Sequence, residues 1–342
     1  MRKRIARGVR RRLRTTKKKL ADAPYAVASR VCRFDPRESL IICSDPRGGS
    51  TWITEVVSRI PKTAVLWEPL NLRQSPYFRQ LGFAWRDPLD PAEPYRMTSP
   101  LVQHIPEEAD WPEAHAAFER LLQGKELNAW MGFMASPVDL VRAERLLIKF
   151  VHANALLPWL TRAFDFRYAP IHLVRHPFAV VGSQIKHGNW NYDFARFPIP
   201  DGPYSEYYTC HAAFLAGLAT REEMLTATWC FSNLVPLRSP RRDKDWITIH
   251  YEHLLLDPKV DVTRVFKRWG LPVPEGALDE IRTPSASAKE TTFQDSVEKQ
   301  LAKWTSVFGP DQLKRMAAVL AYFEVECYDA EHTTPLVSRQ VG

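Results

Sequence analysis

The chain has 342 residues, of which 45% are hydrophobic, 25% charged and 11% aromatic. That composition excludes wholesale disorder and allows a sizeable buried core in one large α/β domain or two small ones. The net charge of +8 is unevenly placed: residues 1–20 hold eleven Lys or Arg and no acid, so the rest of the chain is slightly acidic and the high pI does not argue for a nucleic-acid-binding core.

In chain order, the basic arm comes first. Ile5, Val9 and Leu13 recur every four residues and share one helical face. A basic amphipathic helix of this kind suits an anionic membrane surface, at about 1 kcal/mol per nearby cation. A solvated, frayed terminus fits the same residues. No aromatic side chain is interleaved with the charges to stack on bases, so no nucleic-acid partner is expected. No apolar stretch follows the cations as a secretory signal requires, and no segment reaches membrane-span length. Five scattered cysteines (Cys32, Cys43, Cys210, Cys230, Cys327) form an odd set without metal-ligand spacing. They fit a reducing compartment, and the expectation is a cytoplasmic protein, peripheral to a membrane where the arm engages one.

Ser39–Ser44 is a short apolar run ended by Asp-Pro and Gly-Gly, which predicts a buried strand and then a loop. Thr51–Ile60 follows with helical spacing, its apolar positions being Trp52, Val56, Val57 and Ile60. Further strands are expected at Ala64–Trp67, Arg145–Phe150, Pro170–Val174 and Trp246–His250, each but the first of these followed by a helix-like stretch. The alternation predicts an α/β fold, a mostly parallel central sheet flanked by helices on both faces. The expected division is a basic arm over 1–38, one α/β domain over 39–328 and a C-terminal tail over 329–342.

Two stretches break the rhythm. Residues 69–112 hold eight prolines together with Tyr77, Phe78, Phe83, Trp85 and Tyr95. Residues 188–208 hold Trp190, Tyr192, Phe194, Phe197, Tyr204, Tyr207 and Tyr208. Such long loops in a compact domain either serve function or cover the core, and their aromatic rings suit an acceptor with flat apolar faces.

Asp45-Pro46-Arg47-Gly48-Gly49-Ser50-Thr51-Trp52 stands between a strand and a helix. Its glycines let backbone N–H groups converge on an anion, and the helix N-terminus adds positive potential. Ser50 and Thr51 add hydroxyls, and Arg47 adds a fixed cation. The Lys-Ser/Thr dipeptide of a nucleotide triphosphatase is absent. A second element, Arg175-His176-Pro177, ends a strand and opens a helix with Ser183 two turns on, so Arg175 and Ser183 can face one anion.

These two segments, in this order, resemble the donor site of sulfotransferases that use 3′-phosphoadenosine 5′-phosphosulfate (PAPS). The pattern there is Pro-Lys/Arg-Ser/Gly-Gly-Thr/Ser-Thr-Trp, then a strand-end Arg, a helix-opening Pro and a Ser eight residues after the Arg. The resemblance runs from about residue 39 to about 325 and implies a P-loop-like fold. It also implies that Arg47 meets the sulfuryl group, that Gly48, Gly49, Ser50 and Thr51 cradle the 5′-phosphate, and that Trp52 packs on adenine. Arg175 and Ser183 would hold the 3′-phosphate. Tyr251, in a segment similar to the family's Tyr-Glu-Asp-Leu, would contact adenine; Lys289 would add a 3′-phosphate contact. The product would be 3′,5′-bisphosphoadenosine.

Sulfuryl transfer asks for a base, for cations at the departing phosphate and for positioning. No metal is expected, since protein cations can neutralise a single phosphate. Glu68, in Trp67-Glu68-Pro69, resembles the acceptor base of carbohydrate-type members. His152, after Lys149-Phe150-Val151, is similar to the Lys-Thr-His of small-molecule members but one residue later. Lys149 suits either version as a second cation. The acceptor class expected is a glycan or glycolipid hydroxyl; a phenol or small alcohol is the rival within the class. A nucleotide kinase and a non-enzymatic polyanion or membrane binder are the rivals outside it.

Overall fold

Five short, mostly apolar runs build the sheet of the computed structural model, which describes residues 2–71, 74–78, 104–188, 197, 199, 203–278 and 296–339, with side chains from Thr16 onward. Strands β1 (Leu40–Ser44), β2 (Thr63–Trp67), β3 (Arg145–Phe150), β4 (Ile171–Val174) and β5 (Ile247–His250) are all parallel, in the order β2-β3-β1-β4-β5. Parallel strands are buried on both faces, which is why they read as mostly apolar runs; Ser44, Lys149, His172, Thr248 and His250 are the buried polar exceptions. Ile41, Cys43, Leu66, Leu146 and Ile148 point into one core, and Leu40, Ile42, Val65, Leu147, Ile171 and Ile249 into another on the opposite face.

The covering helices are assigned by their apolar stripes. Helix α1 (Arg2–Val31) docks through Tyr25 and Ala28 on the first core, joined by Cys32 just past its end. Helix α2 (Ser50–Ser58) supplies Trp52, Ile53, Val56 and Val57 to the opposite core. Helix α3 (Pro112–Leu122) supplies Ala114, Ala117, Phe118, Leu121 and Leu122 to the first core. A short α4 (Pro137–Arg142) opens with a capping box between Ser136 and Asp139 and packs on α1; α5 (Leu157–Ala163) follows β3. Helix α6 (Pro177–His187) follows β4 with Pro at its first turn. Helix α7 (Arg221–Arg238), capped by Thr220 and Glu223, is buried on nearly every side and packs on α6 and on α10 (Pro310–Tyr322). Helix α8 (Tyr251–Leu256) leaves β5 directly, and α9 (Pro258–Trp269) returns Val262, Val265, Phe266 and Trp269 to the second core.

The strand positions match the sequence reading to within a residue, and the expected helix over Thr51–Ile60 spans Ser50–Ser58. Of the two aromatic stretches, Phe83, Trp85, Tyr95, Trp190, Tyr192 and Phe194 lie outside the described residues, as does Lys289. Phe78, Phe197 and Tyr208 are buried, and Tyr77, Tyr204 and Tyr207 pack partly buried against the cores. The described rings of these stretches therefore cover the core. Among the described residues no helix is long and apolar enough to cross a membrane.

The path of the chain fixes where a ligand fits. From β1 it moves to one side for β2 and β3, then crosses to the other side of β1 for β4 and β5. The carboxyl ends of β1 and β4 thus flank the point where the strand order reverses, the usual crevice for ligands in open α/β sheets.

Candidate active site

The turn after β1 is built by backbone that ordinary side chains resist. Gly49 has φ 94° and caps α2, with no side chain capping that N-terminus and no acid in its first turn. A Cβ on Gly49 would lie 2.4 Å from the Tyr251 ring, and one on Gly48 would lie 2.2 Å from Ser44 Oγ. Both positions are therefore closed to larger residues. Arg47 takes a left-handed φ of 71°, a conformation unfavourable for a residue with a Cβ and found mostly where the surroundings impose it. The result is a helix N-terminus with a glycine cradle in front of it, an anion seat by geometry.

From β4, Arg175 reaches across to this turn. Its Nη1 donates to the Arg47 carbonyl at 3.0 Å, and its guanidinium lies 4.5 Å from the centroid of the Tyr251 ring. Among the described residues its Nε is buried without a partner, a donor that a phosphate oxygen would satisfy. Arg47 Nε donates to Ser183 Oγ at 3.2 Å, and Gln184 Nε2 to the Pro46 carbonyl at 3.0 Å, tying α6 to the loop. Burial, and then the Arg175 cation, pull the Arg47 pKa below its ordinary value. Two guanidinium groups this close repel until an anion joins them. Sequence reasoning put Arg47 and Ser183 at opposite ends of a nucleotide; here the two side chains touch, so the halves of the seat abut.

A third group stands at the end of β2. Trp67 pairs with Lys149 in the sheet register, and the Glu68 N–H donates to the Lys149 carbonyl at 2.9 Å. Glu68 then turns out with φ 43°. Its Oε1 accepts from Lys149 Nζ at 2.9 Å, and that Nζ sits 3.4 Å from the centroid of the Trp67 ring. Burial lowers the Lys149 pKa, and the Glu68 charge works against that shift. His152 is half-buried, and desolvation lowers its pKa while Glu68 opposes. Glu68, Lys149 and His152 are thus within electrostatic reach of one another, as are Lys149 and Arg47.

Residues 128–135, which the sequence did not single out, form the wall beside Glu68. Trp130 Nε1 donates to the Glu68 carbonyl at 3.3 Å, and the Trp67 N–H to the Met131 carbonyl at 2.8 Å. Phe133 lies 5.0 Å from Trp67, ring to ring, and is 66% exposed. Helix α1 holds this wall from behind: Asp22 accepts from the Ala129 N–H at 2.9 Å, and Tyr25 donates to the Gly132 carbonyl at 3.1 Å. A Cβ on Gly132 would lie 1.9 Å from Tyr25 Cε1.

Under the loop runs a buried polar network, also unseen in the sequence. Asn233 of α7 donates to Asp45 Oδ2 at 2.7 Å, and its Oδ1 accepts from Asn154 Nδ2 and lies 3.1 Å from His172 Nε2. Burial pushes the Asp45 carboxyl up to about 6 and the His172 imidazole down to about 3. Beside Arg175, the Glu252 carboxylate accepts from the His176 N–H at 2.8 Å and from the Tyr328 hydroxyl at 2.7 Å. His176 Nε2 donates to the Asp329 carbonyl while its Nδ1 accepts from the Phe178 N–H, which fixes a neutral tautomer.

A family model described as a sulfotransferase domain matches residues 37–305. No curated protein sequence matches the chain. Among solved structures it is similar to the sulfotransferase domain from the curacin biosynthetic pathway, with TM-score 0.43, 16% identity and coverage of 83% of this chain and 97% of that one. A mouse sulfotransferase complexed with PAP gives TM-score 0.42, 13% identity and 90% coverage of each chain. A sulfotransferase from Mycobacterium avium gives TM-score 0.42, 15% identity and coverage of 84% and 76%.

Proposed function

The chain belongs to the sulfotransferase family, and from that premise we propose that it moves a sulfuryl group from PAPS to a hydroxyl of a glycan or glycolipid. The observation that carries the donor assignment is the pairing of a glycine cradle at the α2 N-terminus with the half-satisfied guanidinium of Arg175, at the ends of adjacent strands. A nucleotide phosphorylated at both 5′ and 3′ positions presents two anions to such a pair of seats. Gly48, Gly49, Ser50 and Thr51 receive the 5′-phosphate; Arg175 and Ser183 receive the 3′-phosphate. Tyr251 and Trp52 border the base, and Lys289 is assigned to the 3′-phosphate from its sequence context alone.

In the transfer, the acceptor oxygen forms a bond to sulfur while the bond from sulfur to the bridging phosphate oxygen breaks. Charge collects on the departing phosphate, where Arg47 and the α2 N-terminus stabilise it. The acceptor proton goes to Glu68, whose carboxylate Lys149 orients through the 2.9 Å hydrogen bond. His152, neutral through burial, is the second group able to take that proton. The exposed Phe133 beside Trp67 offers a flat apolar face to a sugar ring, which supports the glycan reading. The basic arm is assigned to an anionic membrane surface, where a glycolipid headgroup is presented to a cytoplasmic enzyme.

Titration calorimetry of the full chain with 3′,5′-bisphosphoadenosine tests the donor site. Heat of binding and a raised melting temperature are expected; neither appearing sinks the assignment. Incubation with sulfur-labelled PAPS and sugars, glycolipids and phenols then tests the acceptor class, and label on phenols alone overturns the glycan reading.

A further inference from the structure

Helix α1 carries an apolar face that the domain leaves uncovered. Leu20, Val27 and Val31 are 69%, 60% and 59% exposed, and at about 100° per residue they fall on one line along the helix. By the same spacing Val9 and Leu13 continue that line into the arm, with Ile5 at its edge. The opposite face is spent on the domain through Asp22, Tyr25, Ala28 and Cys32. Helix α4, packed on α1, adds exposed Val138 (54%) and Val141 (48%).

Charge tells what covers this face. Residues 1–20 hold eleven cations and no acid, and Arg30 and Arg33 follow. The one acid of α1, Asp22, is engaged with the Ala129 N–H. We propose that the outward face of α1 docks on a bilayer surface rich in anionic lipid, with Leu20, Val27 and Val31 entering the headgroup boundary and the flanking cations meeting the lipid charges. The proposal rests on the reading of residues 1–20 as a membrane arm and extends that contact to the folded domain. A flat surface suits the shape: thirty residues of one helix span roughly 45 Å, more than a groove on a small partner offers. A second copy of the chain would bring like charges together along the whole face.

The orientation has a use. The inner face of α1 grips residues 129–135 through Asp22 and Tyr25, and that segment carries Phe133 next to Trp67 and Glu68. Docking α1 holds this wall one helix width, roughly 10 Å, from the headgroups, so an acceptor on a lipid headgroup that extends past the surface is presented on the side of α1 that carries Glu68.

Flotation of the full chain with phosphatidylcholine vesicles, with and without phosphatidylserine, tests the idea. Binding is expected only to the phosphatidylserine vesicles, with release at high salt as the charges are screened. Joint substitution Leu20→Glu, Val27→Glu and Val31→Glu should weaken it by about tenfold or more, with the far-ultraviolet dichroism and the 3′,5′-bisphosphoadenosine affinity unchanged. Deleting residues 2–14 should leave weaker but measurable binding, because the face continues to Val31. Equal binding to both vesicles, binding to neither, or wild-type flotation of a folded triple variant overturns the proposal. So does a concentration-dependent dimer that the triple variant abolishes. Failure of the sulfotransferase reading would show separately, as absent nucleotide heat in a chain that still floats.

Discussion

At the residue scale, Arg47 and Glu68 share a left-handed backbone at the mouths of two strands. Strain of this kind costs on the order of 1–3 kcal/mol and persists where the surroundings over-determine it. Arg47→Ala should lower kcat by about 10²–10³, or roughly 3–4 kcal/mol in the barrier, the scale of removing a principal donor from an oxyanion site; steady-state kinetics with PAPS measures it. Glu68→Gln should lower turnover and leave 3′,5′-bisphosphoadenosine affinity intact, since the carboxylate points to Lys149 and not to the glycine cradle. Normal activity in Glu68→Gln together with loss in His152→Ala would hand the base role to His152. Asp45 gives a pH test. Its folded pKa of about 6 lies above the ordinary 3.8, so the folded state binds the extra proton between about pH 4 and pH 6. The favourable contribution is complete below the lower value and is lost as pH rises through the upper. Asp45→Asn keeps an acceptor for Asn233 and removes the charge. It should raise stability at pH 7 by on the order of 2–3 kcal/mol and change it little at pH 4, as read by urea unfolding at both values. Arg47 and Arg175 could be found in the sequence because each lies in a short motif with fixed spacing. The Asp45–Asn233 bond could not, because its partners are 188 residues apart and an Asn inside a helix carries no local signal.

At the scale of elements, the strands were legible for a physical reason: double burial favours apolar side chains, so each strand reads as a mostly apolar run, and the polar residues it does carry, such as Lys149 and His172, are buried with partners. Helix α7 was the reverse. Being buried on nearly all sides, it has no polar face and hence no helical period to read. Its placement depends on Asn233, which ties α7 to β1, to β4 and to Asn154. Asn233→Ala leaves Asp45, Asn154 and His172 short of partners in the core and should cost about 2–4 kcal/mol, measured as a lower urea midpoint with an unchanged m-value. The wall at residues 128–135 was missed because its residues follow no period and its meaning comes from Tyr25, more than a hundred positions away. Gly132→Ala should loosen that wall, since the new methyl would meet the Tyr25 ring. The expected signature is a raised KM for the acceptor with the donor affinity kept.

For the whole molecule, three buried cores surround one parallel sheet, and the candidate site lies where they meet at the strand ends. The C-terminal stretch belongs to this arrangement: Tyr328 is buried against Trp229 and His250, and Arg339 bonds Asp261 at 2.7 Å. Chain truncation before Cys327 should therefore abolish nucleotide binding along with most of the cooperative unfolding transition, seen as a shallow melting curve.

Glu252 accepts one hydrogen bond from a residue 76 positions before it and another from a residue 76 positions after it. During synthesis the earlier bond has its partner ready and the later one does not. A growing polypeptide can pair its five strands yet keep a half-anchored carboxylate beside Arg175 until Tyr328 has cleared the ribosome. Competence for the nucleotide then follows the sheet and waits for synthesis to pass Tyr328.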